Sequence, residues 1–175
     1  MKLNLLANME EQTTSMVEDL TQIINQLLAK QDDVTIAVSG GKSPITLFKK
    51  LTHANINWQK ITFTLVDERI TPASSDDSNE NLVYNHLLCG NAAKSKFIGL
   101  MHVNPDINNM LNDANQIVKT IDIAILGMGE DGHTASIFPD CKEVTQALDL
   151  RQKPGYILTN PISAKYHIYM AQFQC

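Results

Sequence analysis

Apolar positions recur along the chain at a period that switches repeatedly between that of a helix and that of a strand. Over 9–30, Met16, Leu20, Ile23, Ile24, Leu27 and Leu28 fall at helical spacing and predict an amphipathic helix. Val34-Thr35-Ile36-Ala37-Val38 predicts a strand, and the helical spacing returns near 44–53. A second strand near 61–66 runs on through Asp67-Glu68-Arg69 into a loop over 70–77 rich in Ser and Asp, before a helix near 79–88. Phe97-Ile98-Gly99-Leu100 reads as a short strand. The stretch 106–119 reads as a helix starting after Pro105, with Leu111, Ala114 and Val118 inward. Ile121-Asp122-Ile123-Ala124-Ile125-Leu126 reads as a buried strand, and Tyr156-Ile157-Leu158-Thr159 as a later one. Such alternation predicts an α/β fold: a mostly parallel sheet with helices on both faces and right-handed crossovers.

Composition sharpens this picture. The 175 residues are 43% hydrophobic, enough for one substantial core, and with aromatics at 6% that core is expected to be aliphatic. A formal charge of −5 argues against nucleic acid and anionic membranes as partners, and it requires any anion site to concentrate its positive charge locally. No apolar stretch approaches the length of a membrane span. Cys89, Cys141 and Cys175 lack metal or redox spacing. Their odd number, with no secretory signal, predicts reduced thiols in a cytoplasmic setting. Cys89 and Cys141 are expected to be small apolar residues, and His53, His86 and His102 surface or helix-end residues; the scattered histidines predict no zinc site.

The chemistry concentrates in three strand-to-loop junctions. After the strand at 121–126 comes Gly127-Met128-Gly129-Glu130-Asp131-Gly132-His133-Thr134-Ala135-Ser136-Ile137-Phe138-Pro139. Glycines let the backbone turn tightly and approach a ligand. An acid two residues before an imidazole suits a general base and its orienting partner. Thr134 and Ser136 add hydroxyls where a short helix is expected to begin. The three glycines also satisfy the dinucleotide-binding pattern. However, Pro139 cuts any following helix short, and no second strand ends in the acid that a ribose contact requires.

Ser39-Gly40-Gly41-Lys42-Ser43-Pro44 follows the strand at 34–38, with Ser43 expected as N-cap and Pro44 as first helical residue. A glycine loop with a lysine feeding a helix N-terminus is suited to an anion. It is not a Walker A loop, because Ile36 stands where the first glycine is needed. At the third junction, Arg69 is one of two arginines in the chain and stands at a strand's carboxyl end, where open α/β sheets bind ligands. Its guanidinium suits a phosphate or a developing oxyanion, or a salt bridge to Asp67 or Glu68. Asp76 and Asp77 read as loop and cap residues.

Together, Ser39 to Pro44, Asp67-Glu68-Arg69 with Ser78-Asn79, and Gly127 to Pro139 resemble the signature blocks of the 6-phosphogluconolactonase family, in the same order. Glucosamine-6-phosphate deaminases are similar up to Gly132-His133 and then usually diverge, so Thr134-Ala135-Ser136 favours the lactonase branch. The resemblance runs to about Lys165 and implies a Rossmann-like sheet in a single domain spanning 1–175, shortened at its C-terminus. The family's further arginine-bearing strand would start near His167-Ile168, and no arginine is found there.

The activity implied is hydrolysis of 6-phospho-D-glucono-1,5-lactone to 6-phosphogluconate. His133 would take a proton from water and Asp131 would orient the imidazole. Arg69 would hold the phosphate or stabilise the tetrahedral intermediate. Gly40, Gly41, Lys42 and Ser43 would present N–H groups and charge, Gly129 and Gly132 would shape the turn, and Thr134 would face substrate. No metal or other cofactor is implied. A sugar-phosphate isomerase or deaminase, or a catalytically impaired phosphosugar-binding chain, are the alternatives.

Overall fold

The computed structural model describes residues 3–101, 106–118, 120–162, 164 and 168–172. Helix α1 (Met9–Leu28) starts where Asn8 accepts the Glu11 N–H at 2.9 Å, one of the amide donors that a helix start leaves unpaired. It leads into β1 (Val34–Val38), α2 (Ile45–Leu51), β2 (Ile61–Leu65) and the three-residue β3 (Asp67–Arg69). Then come α3 (Asn79–His86), β4 (Lys96–Ile98), α4 (Ile107–Ile117), β5 (Ile123–Ile125), α5 (Val144–Ala147), β6 (Gly155–Thr159) and β7 (Ile168–Gln172).

Strands β4-β2-β1-β5 form a parallel sheet, so the chain has the expected α/β class. Its two inner strands are fully buried at Val34, Ile36, Val38, Ile61, Phe63 and Leu65. Near-continuous apolar runs are what a parallel strand covered on both sides requires. Phe48 and Leu51 of α2, Ile24 of α1 and Val83 of α3 complete that core. Each such side chain removed from water contributes roughly 1.5–3 kcal/mol. In register, Val38 pairs with both Leu65 and Ile125. The carboxyl ends of β1, β2 and β5 therefore lie level, and the three chemistry-bearing junctions leave the sheet side by side.

Two expectations are corrected here. Phe63 to Arg69 is not one strand. The Val66 N–H donates to the Val38 carbonyl at 3.0 Å, and the chain then leaves the parallel sheet. β3 joins a second sheet, β3-β7-β6, which is antiparallel throughout, so β6 is no further strand of the parallel sheet. A short apolar run is compatible with either partner and direction, so the sequence pattern did not separate them. The second correction concerns α2. Pro44 itself occupies the N-cap position without a side-chain cap bond, and Ser43 lies one residue further out. Cys141 is buried as expected, whereas Cys89 is exposed. His102, Pro105, Lys119, Lys165, His167 and Cys175 lie outside the described residues.

The junction of β3 and α3 is held by Glu68, which is fully buried. One carboxylate oxygen accepts the Arg69 N–H at 2.8 Å and the Asn79 N–H at 2.9 Å. The other accepts the Glu80 N–H at 2.8 Å and the Ser78 hydroxyl at 3.1 Å. Two of those amides belong to the first turn of α3, so the carboxylate satisfies orphan donors and sits at the positive end of the helix. Burial pushes the Glu68 carboxyl above its ordinary value, opposed by all four donors. Glu68→Gln places an NH2 group against amide donors that need an acceptor. It is expected to destabilise the fold by about 1–3 kcal/mol, the cost of leaving buried polar groups unpaired. Equilibrium urea unfolding measures this, and an unchanged midpoint would contradict the capping role.

Candidate active site

The three junctions line one cavity of about 400 Å³ at the carboxyl end of the parallel sheet. Its walls include Gly40, Gly41 and Ser43 from the β1–α2 loop, Asp67 and Arg69 from β3, and Gly129, His133, Thr134 and Ser136 from the loop after β5. Asn79 and the first turns of α1, through Met9, Gln12, Thr13 and Met16, close the remaining sides. Of the residues singled out from sequence, Lys42, Asp131 and Gly132 are not in the wall. Lys42 is solvent-exposed, and Asp131 stands behind His133.

His133 Nδ1 lies 2.5 Å from Asp131 Oδ1, and the His133 N–H donates to the same oxygen at 3.2 Å. The imidazole also stacks on Phe138, with ring centroids 4.2 Å apart and planes 19° from parallel. With Nδ1 engaged by a carboxylate, Nε2 is the nitrogen left for substrate. The hydrogen bond to His133 holds the Asp131 carboxyl below its ordinary value, so it stays ionised well into the acid range. Gly129 is dictated by this arrangement, because a Cβ there would overlap the His133 ring and the Asp131 carboxylate. Gly40 is dictated similarly, since its Cβ would fall on the side-chain amide of Asn79. That amide is anchored by Asn79 Nδ2, which donates to the Asp67 carbonyl at 2.8 Å.

No helix begins at Thr134, which corrects the expectation from sequence. Thr134 and Ile137 instead bridge across a tight turn, and the Ile137 N–H donates to the Thr134 carbonyl at 2.8 Å. The central residues Ala135 and Ser136 have φ of 49° and 59°, the left-handed region that a mirror-image two-residue turn requires. The Thr134 hydroxyl donates to the Gly127 carbonyl at 2.8 Å and so braces the loop as well as facing the cavity.

Arg69 Nη1 donates to the Asp77 carbonyl at 2.7 Å, which fixes the guanidinium while its charge acts on Asp67. Asp77 thus serves the loop through its main chain, and the cap of α3 is Ser78. Sequence reasoning gave no part in the site to Asp67 or Asn79, and to Ser136 only a hydroxyl near His133; all three line the cavity. The hints were the signature blocks Asp67-Glu68-Arg69 with Ser78-Asn79 and, for Ser136, Gly127 to Pro139, as residue types with no assigned contacts. Among the described residues, no cluster of three or more His, Cys, Asp or Glu is placed to hold a metal, and no helix is long and apolar enough to cross a membrane.

Burial pushes the Asp67 carboxyl above its ordinary value, opposed by the Ser136 hydroxyl and by the charges of Arg69 and His133. The folded carboxyl therefore holds its proton more tightly than the unfolded one. Its stabilising contribution is complete below the ordinary value of 3.8 and is lost as pH rises through the raised one. Asp67→Asn, which keeps an acceptor for Ser136, is expected to gain stability over the parent as pH rises from about 4. Urea midpoints of both proteins across a pH series check this, and a pH-independent difference between them would contradict it.

A family model described as glucosamine-6-phosphate isomerases/6-phosphogluconolactonase matches residues 7–160. The 6-phosphogluconolactonase of Helicobacter pylori is 42% identical over 161 residues, covering 91% of this chain and 69% of the relative. That of Pseudomonas putida is 35% identical, covering 85% and 63%. The crystal structure of a 6-phosphogluconolactonase from Shewanella baltica superposes with a TM-score of 0.89 at 29% identity, over 95% of this chain and 72% of that one. A monomeric glucosamine-6-phosphate deaminase shares the fold, with a TM-score of 0.78 at 16% identity. With the matched segment running through all three junctions that build the cavity, the chain belongs to the glucosamine-6-phosphate isomerase/6-phosphogluconolactonase family.

Proposed function

We propose that this chain hydrolyses 6-phospho-D-glucono-1,5-lactone to 6-phosphogluconate. The observation that carries the reading is the Asp131–His133 pair at 2.5 Å, whose imidazole lines a cavity shared with Arg69 and the Gly40-Gly41 loop. Its relatives named 6-phosphogluconolactonase and the Thr134-Ala135-Ser136 continuation support this branch over the deaminase.

In this reading His133 Nε2 accepts a proton from water as the water oxygen bonds to C1 of the lactone. Asp131 holds the imidazole tautomer and stabilises its protonated form. The carbonyl oxygen becomes an oxyanion. As it collapses, the C1–O5 bond breaks, and the ring oxygen takes the proton from His133. Arg69 supplies positive charge either to the phosphate or to the oxyanion. Gly40, Gly41 and Ser43 offer backbone N–H groups to the phosphate, with exposed Lys42 adding charge at the mouth. Gly129 and Gly132 shape the turn, and Thr134 contributes to the wall beside the sugar. The cytoplasm is the compartment that suits such a substrate and the free thiols of Cys89 and Cys141.

Hydrolysis is measured by coupling the product to 6-phosphogluconate dehydrogenase, against the spontaneous rate. His133→Ala is expected to lower kcat by about 10²–10⁴-fold, the usual contribution of a general base, with the fold intact. Wild-type activity in that variant would refute the assignment. Release of ammonia from glucosamine 6-phosphate would instead identify a deaminase.

A further inference from the structure

The loop that carries His133 is long, and its internal hydrogen bonds are local. The Gly129 N–H reaches the His133 carbonyl at 2.8 Å, and the Gly132 N–H reaches the Gly129 carbonyl at 3.0 Å. With the Thr134 hydroxyl on the Gly127 carbonyl, they shape the loop and tie it to its own start, which the Gly127 N–H on Ser39 Oγ holds near the end of β1, but none of them reaches β3 or β6. Among the described residues, the hydrogen bonds that tie 128–137 to the strands both run through Ser136. Its hydroxyl donates to Asp67 Oδ2 on β3, and its carbonyl accepts the Thr159 hydroxyl on β6 at 3.2 Å. All three side chains are buried: Ser136 is 5% exposed, Asp67 8% and Thr159 fully covered.

Ser136 holds this position in an unfavourable backbone conformation. A non-glycine residue in the left-handed region costs of order 1–3 kcal/mol and persists only where its surroundings over-determine it. Glycine would adopt the same φ without strain, but it has no hydroxyl to offer Asp67. The choice of a strained serine fits a side chain whose contact is needed. Asp67 is two residues before Arg69 on the same short strand, and Asp67, Arg69 and His133 all line the cavity. The Ser136–Asp67 bond thus joins the element bearing the base to the element bearing the guanidinium.

Resting on the lactonase reading above, we propose that Ser136 is a positioning residue that acts through Asp67 to set His133 in register with Arg69 and the bound lactone. Misplacement of a reacting group by about 1 Å can cost 10²-fold in rate. Ser136→Gly keeps the φ, relieves the strain and removes the bond. It is expected to lower kcat by about 10–100-fold with KM changed far less, because the glycine loop and Arg69 are untouched.

The decisive comparison is Ser136→Gly made in the His133→Ala background. A residue acting through His133 causes little further loss there, whereas one serving only to hold the fold lowers activity and melting temperature in both backgrounds. Parental kcat and KM in Ser136→Gly would overturn the proposal, as would a full additional loss in the double variant. Should the parent itself not hydrolyse the lactone, the lactonase reading fails on that result alone. The positioning role is then read from the ¹⁵N signals of the His133 ring, which Ser136→Gly is expected to shift or broaden. Unchanged ring signals would overturn it.

Discussion

The buried carboxylate of Glu68 is the interaction on which the geometry of the cavity depends. It collects four donors from a strand and a helix that meet at a sharp change of direction. Without an acceptor there, β3 could not end beside the start of α3, because two amides of the helix would be left dry and unpaired. Every neighbouring contact inherits that placement. Asn79 is brought against Gly40 and the Asp67 carbonyl, Arg69 is turned toward the cavity, and the Asp67 side chain is left to receive Ser136. One structural acid thus sets the relative position of the Gly40-Gly41 loop, the guanidinium and the loop with the imidazole.

Glu68 and Asp67, adjacent in sequence, illustrate how surroundings divide the work of two carboxyl groups. Glu68 accepts four hydrogen bonds and stabilises a helix start. Asp67 faces the Ser136 hydroxyl, the Arg69 guanidinium and the His133 imidazole at a cavity. Burial raises both, yet only Asp67 is placed where its ionisation acts on groups that would meet substrate. Asp131 is the contrast: it is solvent-exposed and lowered by its hydrogen bond to His133. The acid whose pKa is lowered thus stands at the edge, beside the His133 imidazole, and the one whose pKa is raised lies inside.

Much of this was legible in the sequence because it is written in local patterns. Strands 34–38 and 61–65, α1 and the helical stretch of α4 follow from periodicity. The three junctions stand out because glycines, an acid, an imidazole and an arginine cluster where strands end. What stayed hidden depends on contacts distant along the chain or on conformations the residue types disfavour. Nothing in Val66 announces that the chain changes sheets. The Ser136–Asp67 contact links positions 69 residues apart. Alanine and serine give no hint of the left-handed turn at 135–136, where glycine or asparagine would have.

That last failure is informative. A local rule is broken at Ala135 and Ser136, and it is broken beside the imidazole rather than in a distant surface turn. Sequences are expected to agree with their folds at every level except where another demand overrides local preference. The demand here is geometric. The turn must reverse tightly after His133 and still deliver a hydroxyl inward to a buried carboxyl. Glycine satisfies the first requirement and fails the second. A helix start, as the hydroxyls at Thr134 and Ser136 suggested, would meet neither, because it would carry Ser136 onward along the chain instead of back toward β3. The strained turn is therefore best understood as the cost of registering two elements that the parallel sheet brings close but does not itself connect.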